Sequence, residues 1–227
     1  MGESSFSQSS DAERAVAAPE RRGLLLWPWI ALLVAFALFL FYRFNQPGAG
    51  DTDAVEDHPA IGSRIEQVQL APLTGDGPPV RAVDLQGKVT LMNFWGPWCG
   101  PCRIEFPHIQ AIEQHYRNNR EFQFLSISYQ PPGSDEDIGP WTAEFLAEFD
   151  ANFPTYHDPG HEFLDQVRQI PGLVDFGFPT SFVLDRQGII RGVWMGYAPG
   201  MEREIQQVIE KTLRETPAKP VAGPAKP

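Results

Sequence analysis

The sequence predicts an α/β domain in which helices cover both faces of one mixed β-sheet, at about residues 60–215. The first observation is that an apolar run, an amphipathic segment and a second apolar run follow one another between residues 88 and 129. That is the order of a βαβ unit with a right-handed crossover. The second observation is that a hairpin pattern and a long amphipathic segment come last. Two strands from each observation would make a four-stranded sheet.

The first half of the domain contains the predicted βαβ unit. Two short strands, RIEQVQL and PVRAVDL, come before it and are separated by the turn residues TGDGP. The unit opens with KVTLMNFW, whose nearly continuous apolar character is expected of a strand covered on both faces. A helix follows over residues 102–118, and EFQFLSISY is the second buried strand. The apolar stripe of this helix is expected to consist of Ile104, Ile109, Ile112 and Tyr116.

The second half of the domain contains a central insertion and the closing elements. After the loop QPPGSDEDIGP, WTAEFLAEFD is an amphipathic helix, NFPTYHD is a short extra strand, and a further helix is expected around residues 162–169. The hairpin is TSFVLDRQGIIRGVWMG, whose two apolar runs are joined by an Asp-Arg-Gln-Gly turn. MEREIQQVIEKTLRE closes the domain as an amphipathic helix. The Pro-, Ala- and Lys-rich residues 216–227 are predicted to be disordered, because they cannot bury a core.

A single transmembrane helix is predicted before the domain. Residues 24–42 contain no charged side chain, and at about 1.5 Å per residue they come close to the roughly 30 Å of a hydrocarbon core. Three arginines precede this run and only Arg43 follows closely. The positive-inside rule therefore puts residues 1–20 in the cytoplasm, as a disordered tail. Residues 21–43 would be the anchor, and residues 44–59 a linker to an extracytoplasmic domain.

The competing interpretation of the apolar segment is a cleavable signal peptide. Its apolar core is long for a signal peptide, and NQPGAG is a poor match to a small-x-small cleavage site. We therefore expect the helix to be retained in the cell (inner) membrane, with the domain on the periplasmic or extracytoplasmic side.

The charge distribution argues against a nucleic-acid-binding role. The formal net charge is −11, and residues 1–43 hold four acidic and four basic side chains, so the whole excess belongs to the rest of the chain. Such a chain has no basic patch that could release counterions from phosphates. Nucleic acid is therefore not expected among its partners.

The chain contains two cysteines, Cys99 and Cys102, within the segment NFWGPWCGPCRIEFP. A structural disulfide across so short a loop would stabilise little, because it removes little entropy from the unfolded chain. A zinc site needs about four ligands, and the sequence has no second cysteine pair. His157 and His161 are separated by Asp-Pro-Gly, which cannot put them on one helical face. No metal is therefore predicted, and a structural bridge is disfavoured.

Redox chemistry explains the cysteine pair better. A CxxC at a strand-to-helix junction puts the first sulfur beside the unsatisfied N–H groups and positive dipole end of the helix. That position lowers the pKa of the Cys99 thiol and populates the nucleophilic thiolate. Cys102, in the first turn, could then attack a mixed disulfide formed by Cys99 and release a reduced product.

The segment FWGPWCGPC resembles the active site of the thioredoxin superfamily. The whole domain is similar to the membrane-anchored TlpA/ResA-like branch of extracytoplasmic thiol-disulfide oxidoreductases. The marks of that branch are the anchor, NFWGPWCGPCRIEFP, the insertion and GFPTSFVLD. The resemblance implies a thioredoxin fold with an N-terminal strand extension and a central insertion, preceded by a single transmembrane helix.

The resemblance also implies roles for individual residues. Cys99 would be the attacking thiol and Cys102 the resolving one, and Pro179 would be a cis-proline beside them. Glu105 would tune the thiols or relay a proton, since Asn93 stands where many thioredoxins carry a buried acid. The alternative for Glu105 is a solvated or ion-paired carboxylate. The residues implied in substrate binding are Trp98, Gly100, Pro101, Phe178 and Thr180.

The dipeptide Gly-Pro between the cysteines is typical of the reducing thioredoxins, so the resemblance implies a protein-disulfide reductase. Its substrates would be extracytoplasmic protein disulfides, such as those of apocytochrome c or copper-site cysteines. Its electron donor would be a membrane thiol carrier, and it would need no cofactor. Two alternatives remain open, a disulfide oxidase or isomerase and a copper- or metal-delivery protein. Copper-delivering relatives usually space their cysteines by three residues and add a histidine, which speaks against the second alternative.

Overall fold

The computed structural model describes residues 27–45 and 57–215 of the chain. It divides the chain into two compact units, residues 1–49 and residues 50–227. The described part of the first unit is helix α1, Trp27–Asn45. Among the helices of the described residues, none combines the length and apolar content that crossing a bilayer would require. The predicted tails and most of the predicted linker lie outside the described residues.

The second unit is built on one seven-stranded mixed sheet in the order β2-β1-β5-β4-β3-β6-β7. β3 pairs in parallel with β4, and β4 with β5, while β6 pairs antiparallel with β3 and β7 pairs antiparallel with β6. β1 joins the sheet through β5, and β2 pairs with β1. The strands are β1 Gln69–Thr74, β2 Val80–Arg81, β3 Val89–Trp95, β4 Phe122–Ser128, β5 Thr155–His157, β6 Thr180–Leu184 and β7 Ile190–Met195.

The predicted sheet of four strands was therefore too small. The four predicted core strands are present in the expected order, and the thioredoxin-like fold is confirmed. The short strand of the insertion extends this sheet because it pairs with β4, and it then carries β1 and β2 at its outer side. RIEQVQL is a strand only in its last residues, and PVRAVDL passes from β2 into a short 3₁₀ helix over Ala82–Leu85.

The helices of this unit agree with the predictions to within a few residues. Helix α2, the longest, follows β3 directly and begins at the residue after Cys99. Over residues 57–215 the α-helices are α2 Gly100–Tyr116, α3 Ile138–Glu148, α4 Glu162–Arg168 and α5 Met201–Arg214. β3 is buried over its whole length, as its apolar sequence predicts.

The prediction that Ile104 belongs to the apolar stripe of α2 was wrong. Ile104 is 59% exposed, whereas the face of the helix that meets the sheet includes Cys102, Glu105, Phe106 and Ile109. The helix turns this face to the core because both the cysteine and the phenylalanine are packed there, in a cluster with Trp95 and Phe145. A carboxylic acid therefore lies inside the protein, one turn after the second cysteine.

Candidate active site

The two cysteines lie where the carboxyl end of β3 passes into α2. Cys99 is the residue that caps the helix, and its sulfur is joined to that of Cys102, with Cα atoms 5.2 Å apart. The Cys102 N–H donates to Cys99 Sγ at 3.2 Å. Both side chains are buried, Cys99 at 5% exposure and Cys102 at 1%. The helix N-terminus therefore directs an N–H group at the sulfur that the sequence predicts to be the nucleophile.

The Phe178–Pro179 peptide, just before β6, is cis. The Pro179 carbonyl accepts a hydrogen bond from the Gly196 N–H at 2.7 Å, so the chain itself occupies this acceptor. The Phe178 side chain is half-buried and packs against the cluster that contains both cysteines. Phe178 and the two cysteines thus border the same apolar cluster.

Trp98 is held in place over the turn before the cysteines. Its indole N–H donates to the Tyr129 carbonyl at 2.7 Å, and its ring meets Phe178 edge-on at 5.7 Å between centroids. Gly96 makes this arrangement possible. A Cβ at Gly96 would lie 2.4 Å from Trp98 Nε1 and 2.7 Å from the Tyr129 oxygen, which no real contact allows.

We expect Gly96→Ala to displace Trp98 and to cost about 2 kcal/mol of unfolding free energy, because the added methyl forces the indole off its acceptor. Urea denaturation measures the cost, and the emission of the tryptophans reports the displacement. Gly100→Ala is the matched control, since its Cβ would meet nothing within 4 Å and it lies beside the same cysteines. Equal stability of the two variants would contradict this account of Gly96.

Glu105 is buried inside the protein at 1% exposure, so it is not a solvated carboxylate. Asn93 Nδ2 donates to Glu105 Oε2 at 3.0 Å and to Ser181 Oγ at 2.9 Å, while Glu105 Oε1 has no hydrogen-bond partner. Burial raises the pKa of Glu105 to about 7, against the opposing effect of the hydrogen bonds from Asn93 and Ser181. A carboxyl group with such a pKa can take up and release a proton near neutral pH.

The other residues predicted to bind substrate are divided between surface and interior. Gly100 and Pro101 are exposed at the start of α2. Thr180 is fully buried, and its hydroxyl donates to the Gly177 carbonyl at 2.7 Å, so its side chain braces the cis-proline loop from inside. Within the described residues, no group of three or more His, Cys, Asp or Glu side chains converges on a point that could hold a metal ion.

The structure adds three residues that the sequence prediction missed. Ser181 shares the amide of Asn93 with Glu105, because the antiparallel pairing of β3 and β6 puts Asn93 opposite Ser181. Gly96 was part of the quoted motif, but only the position of the Trp98 indole makes it a requirement. Tyr129 follows β4 and supplies the acceptor for that indole. None of the three carries a signal in the sequence alone, since each depends on strand register.

Known proteins are similar to the part of the chain that carries this site. A family profile described as Redoxin matches residues 60–209. The chain is 28% identical to the thiol-disulfide oxidoreductase ResA of Bacillus subtilis (strain 168) over 165 residues, which cover 73% of this chain and 81% of that protein. It is also 28% identical to ResA of Bacillus thuringiensis subsp. konkukian (strain 97-27), but there the match covers 50% of this chain and 58% of the relative.

Among solved structures, a putative thiol:disulfide interchange protein DsbE from Chlorobium tepidum is similar, with a TM-score of 0.51 and 28% identity. The match covers 67% of this chain and 97% of that one. The family profile, from residue 60 to residue 209, includes both cysteines.

Proposed function

The chain belongs to the Redoxin family, and from this we propose that it is a membrane-anchored thiol-disulfide oxidoreductase that reduces disulfides of extracytoplasmic proteins. The observation that carries the proposal is the Cys99–Cys102 pair, which caps a helix beside the half-buried Phe178 and its cis peptide. The names of the ResA and DsbE relatives state thiol-disulfide oxidoreduction and thiol:disulfide interchange, and this supports the exchange chemistry.

The reaction begins from the dithiol form. The Cys99 thiolate attacks one sulfur of a client disulfide, so that a Cys99–client bond forms and the other client sulfur leaves as a thiolate. The Cys102 sulfur, one turn into α2, then attacks Cys99 Sγ. The Cys99–Cys102 bond forms, the mixed disulfide breaks, and the client leaves with both sulfurs reduced. Two electrons have passed from the enzyme to the client, and the client thiolates take up their protons from solvent.

We propose that Glu105 accepts the proton of Cys102 as that thiol becomes the attacking thiolate. It lies one helical turn beyond Cys102, its Oε1 is free of hydrogen bonds, and its pKa of about 7 suits exchange with a thiol. Asn93 supports this role, because its amide holds Oε2 and thereby orients the carboxyl group.

The client would lie against Trp98, Phe178, Gly100 and Pro101. Because the Pro179 carbonyl is occupied by Gly196, the backbone of Phe178 is the group that we assign to pairing with an extended client segment. The interior position of Thr180 gives it a bracing role in this proposal.

The membrane anchor and electron supply complete the proposal. The nineteen uncharged residues 24–42 support an anchor. An extracytoplasmic reductase has to import its electrons, because its surroundings are oxidising. We therefore propose a membrane thiol carrier as donor, and apocytochrome c or copper-site cysteines as clients.

The experiment that tests the proposal is the reduction potential of a fragment spanning residues 44–227, which includes the whole second compact unit. The fragment is equilibrated in dithiol buffers, and its thiols are counted by alkylation. We expect a potential near or below about −230 mV, in the range of thioredoxins and glutaredoxins. A potential above about −180 mV would overturn the reductase and favour the oxidase or isomerase. Tight uptake of copper by the dithiol form would favour the metal-delivery alternative.

A further inference from the structure

Tyr129, the residue after β4, connects the central insertion to the residues beside the cysteines. It is buried at 1% exposure, and its backbone N–H donates to the Trp95 carbonyl at 2.9 Å. Its carbonyl accepts the Trp98 indole N–H at 2.7 Å, so the end of β4 holds the tryptophan. Neither the disulfide exchange nor the proton transfer described above uses this tyrosine.

Trp98 and Phe178 form two aromatic walls beside the cysteines. The aromatic ring of Tyr129 contacts the second of them, Phe178. Its centroid lies 5.4 Å from that of Phe178, and the rings of Phe178 and Trp98 are themselves 5.7 Å apart. On its other sides the ring meets Phe94 at 6.1 Å and His161 at 5.8 Å. The ring of Tyr129 therefore contacts Phe178, while the backbone carbonyl of the same residue accepts the Trp98 indole N–H.

The hydroxyl group of Tyr129 points away from the cysteines, into the insertion at residues 131–175. It donates to Asp158 Oδ2 at 3.3 Å, and the same oxygen accepts the Leu164 N–H at 2.9 Å in α4. Asp158 is buried at 4% exposure. Burial, and next the Asp158 charge, hold the pKa of Tyr129 well above its ordinary value, so the phenol remains a hydrogen-bond donor at neutral pH.

We propose that Tyr129 is a positioning residue through which the insertion sets Trp98 and Phe178 for a protein client. The inference rests on the proposed function, since it concerns how that reaction selects large substrates. Asp158 fixes the phenol, the ring supports Phe178, and the carbonyl supports Trp98. A protein disulfide needs both aromatic walls to dock, whereas a small disulfide needs access to one sulfur.

The kinetic test uses the full-length chain, reduced, in detergent micelles. Its rates with a disulfide-linked peptide and with 5,5′-dithiobis(2-nitrobenzoate), a small disulfide, are measured in single turnovers. We expect Tyr129→Leu to slow the peptide reaction about tenfold, which corresponds to about 1.4 kcal/mol. We expect the small disulfide to react within about twofold of the wild-type rate, because it makes no use of the walls.

Tyr156→Leu is the matched control, since it removes a tyrosine ring of 6% exposure from the same core cluster. It should change both rates by a common factor. In a Trp98→Phe background, Tyr129→Leu should cost less than about threefold, because Tyr129 acts on the client partly through the position of Trp98, which this background has already altered. Equal slowing of both disulfides by Tyr129→Leu, or a full tenfold cost in that background, would overturn the inference. Tyr129→Phe, which retains the ring, should slow the peptide reaction by only about threefold even if Tyr129→Leu fails to fold.

A second measurement does not depend on activity. Hydrogen exchange of the Trp98 indole N–H is followed by NMR in tryptophan-labelled protein, with the signal identified by its loss in Trp98→Phe. We expect exchange to be at least about tenfold faster in Tyr129→Leu and unchanged in Tyr156→Leu. Unchanged exchange in Tyr129→Leu would overturn the positioning role. A wild-type chain that reduces neither disulfide would overturn the proposed function instead, while the indole measurement would still decide on the positioning.

Discussion

Cys102→Ala is expected to convert the protein into a trap that holds its clients through Cys99. The first exchange needs only the Cys99 thiolate, whereas release needs the sulfur that this variant lacks. Turnover should fall by roughly three orders of magnitude, because the mixed disulfide then awaits an outside thiol. The adducts would be recovered from membranes, separated without reductant and identified by mass spectrometry.

Cys99→Ala is the control for the trap, since it leaves a single buried cysteine at 1% exposure. It should yield no adducts. Recovery of equal amounts of adduct from both variants would contradict the assignment of Cys99 as the attacking thiol. An absence of adducts from Cys102→Ala, with the protein folded and its Cys99 open to alkylation, would contradict the exchange mechanism.

Glu105→Gln is expected to remove a pH dependence from the stability of the protein. Because burial raises the pKa of Glu105 from 4.5 to about 7, the folded state binds a proton more tightly than the unfolded state does. The wild-type protein should therefore lose about 2 to 3 kcal/mol of unfolding free energy between pH 5 and pH 8, at 1.36 kcal/mol for each pKa unit. The loss is complete once the pH exceeds the folded pKa. Urea denaturation of both proteins at several pH values measures the difference.

The matched control for this prediction is Glu144→Gln, because Glu144 lies on the exposed side of α3. It should leave the pH dependence of stability as it is in the wild type. Alkylation of the thiols gives a second readout, since Glu105→Gln should also shift its pH profile if the carboxyl group exchanges a proton with Cys102. An unchanged stability profile in Glu105→Gln would show that this carboxyl group does not titrate inside the protein near neutral pH.

The order of elements could be predicted because it follows from local patterns. The apolar run of β3 and the periodicity of α5 predict elements that the structure contains, since each pattern depends only on the residues of its own segment. The number of strands could not be predicted. β5 is three residues long, and it extends the sheet only because Ser126 and Ile127 of β4 are free to pair with it. Pairing between distant segments leaves little trace in either sequence.

The candidate site also contains features that the sequence predicts and features that only the tertiary structure creates. The sequence by itself determined the redox pair, since two cysteines separated by Gly-Pro at a strand-to-helix junction lie beside helix N–H groups that favour the thiolate. Only the tertiary structure decided that Glu105 is buried and shares Asn93 with Ser181, because helix rotation and strand register set those neighbours. It alone also joined Tyr129 to Asp158 across the insertion. The physical reason is that the helix N–H groups beside the cysteines come from their immediate chain neighbours, whereas the surroundings of Glu105 or of the Tyr129 ring exist only once distant segments have packed.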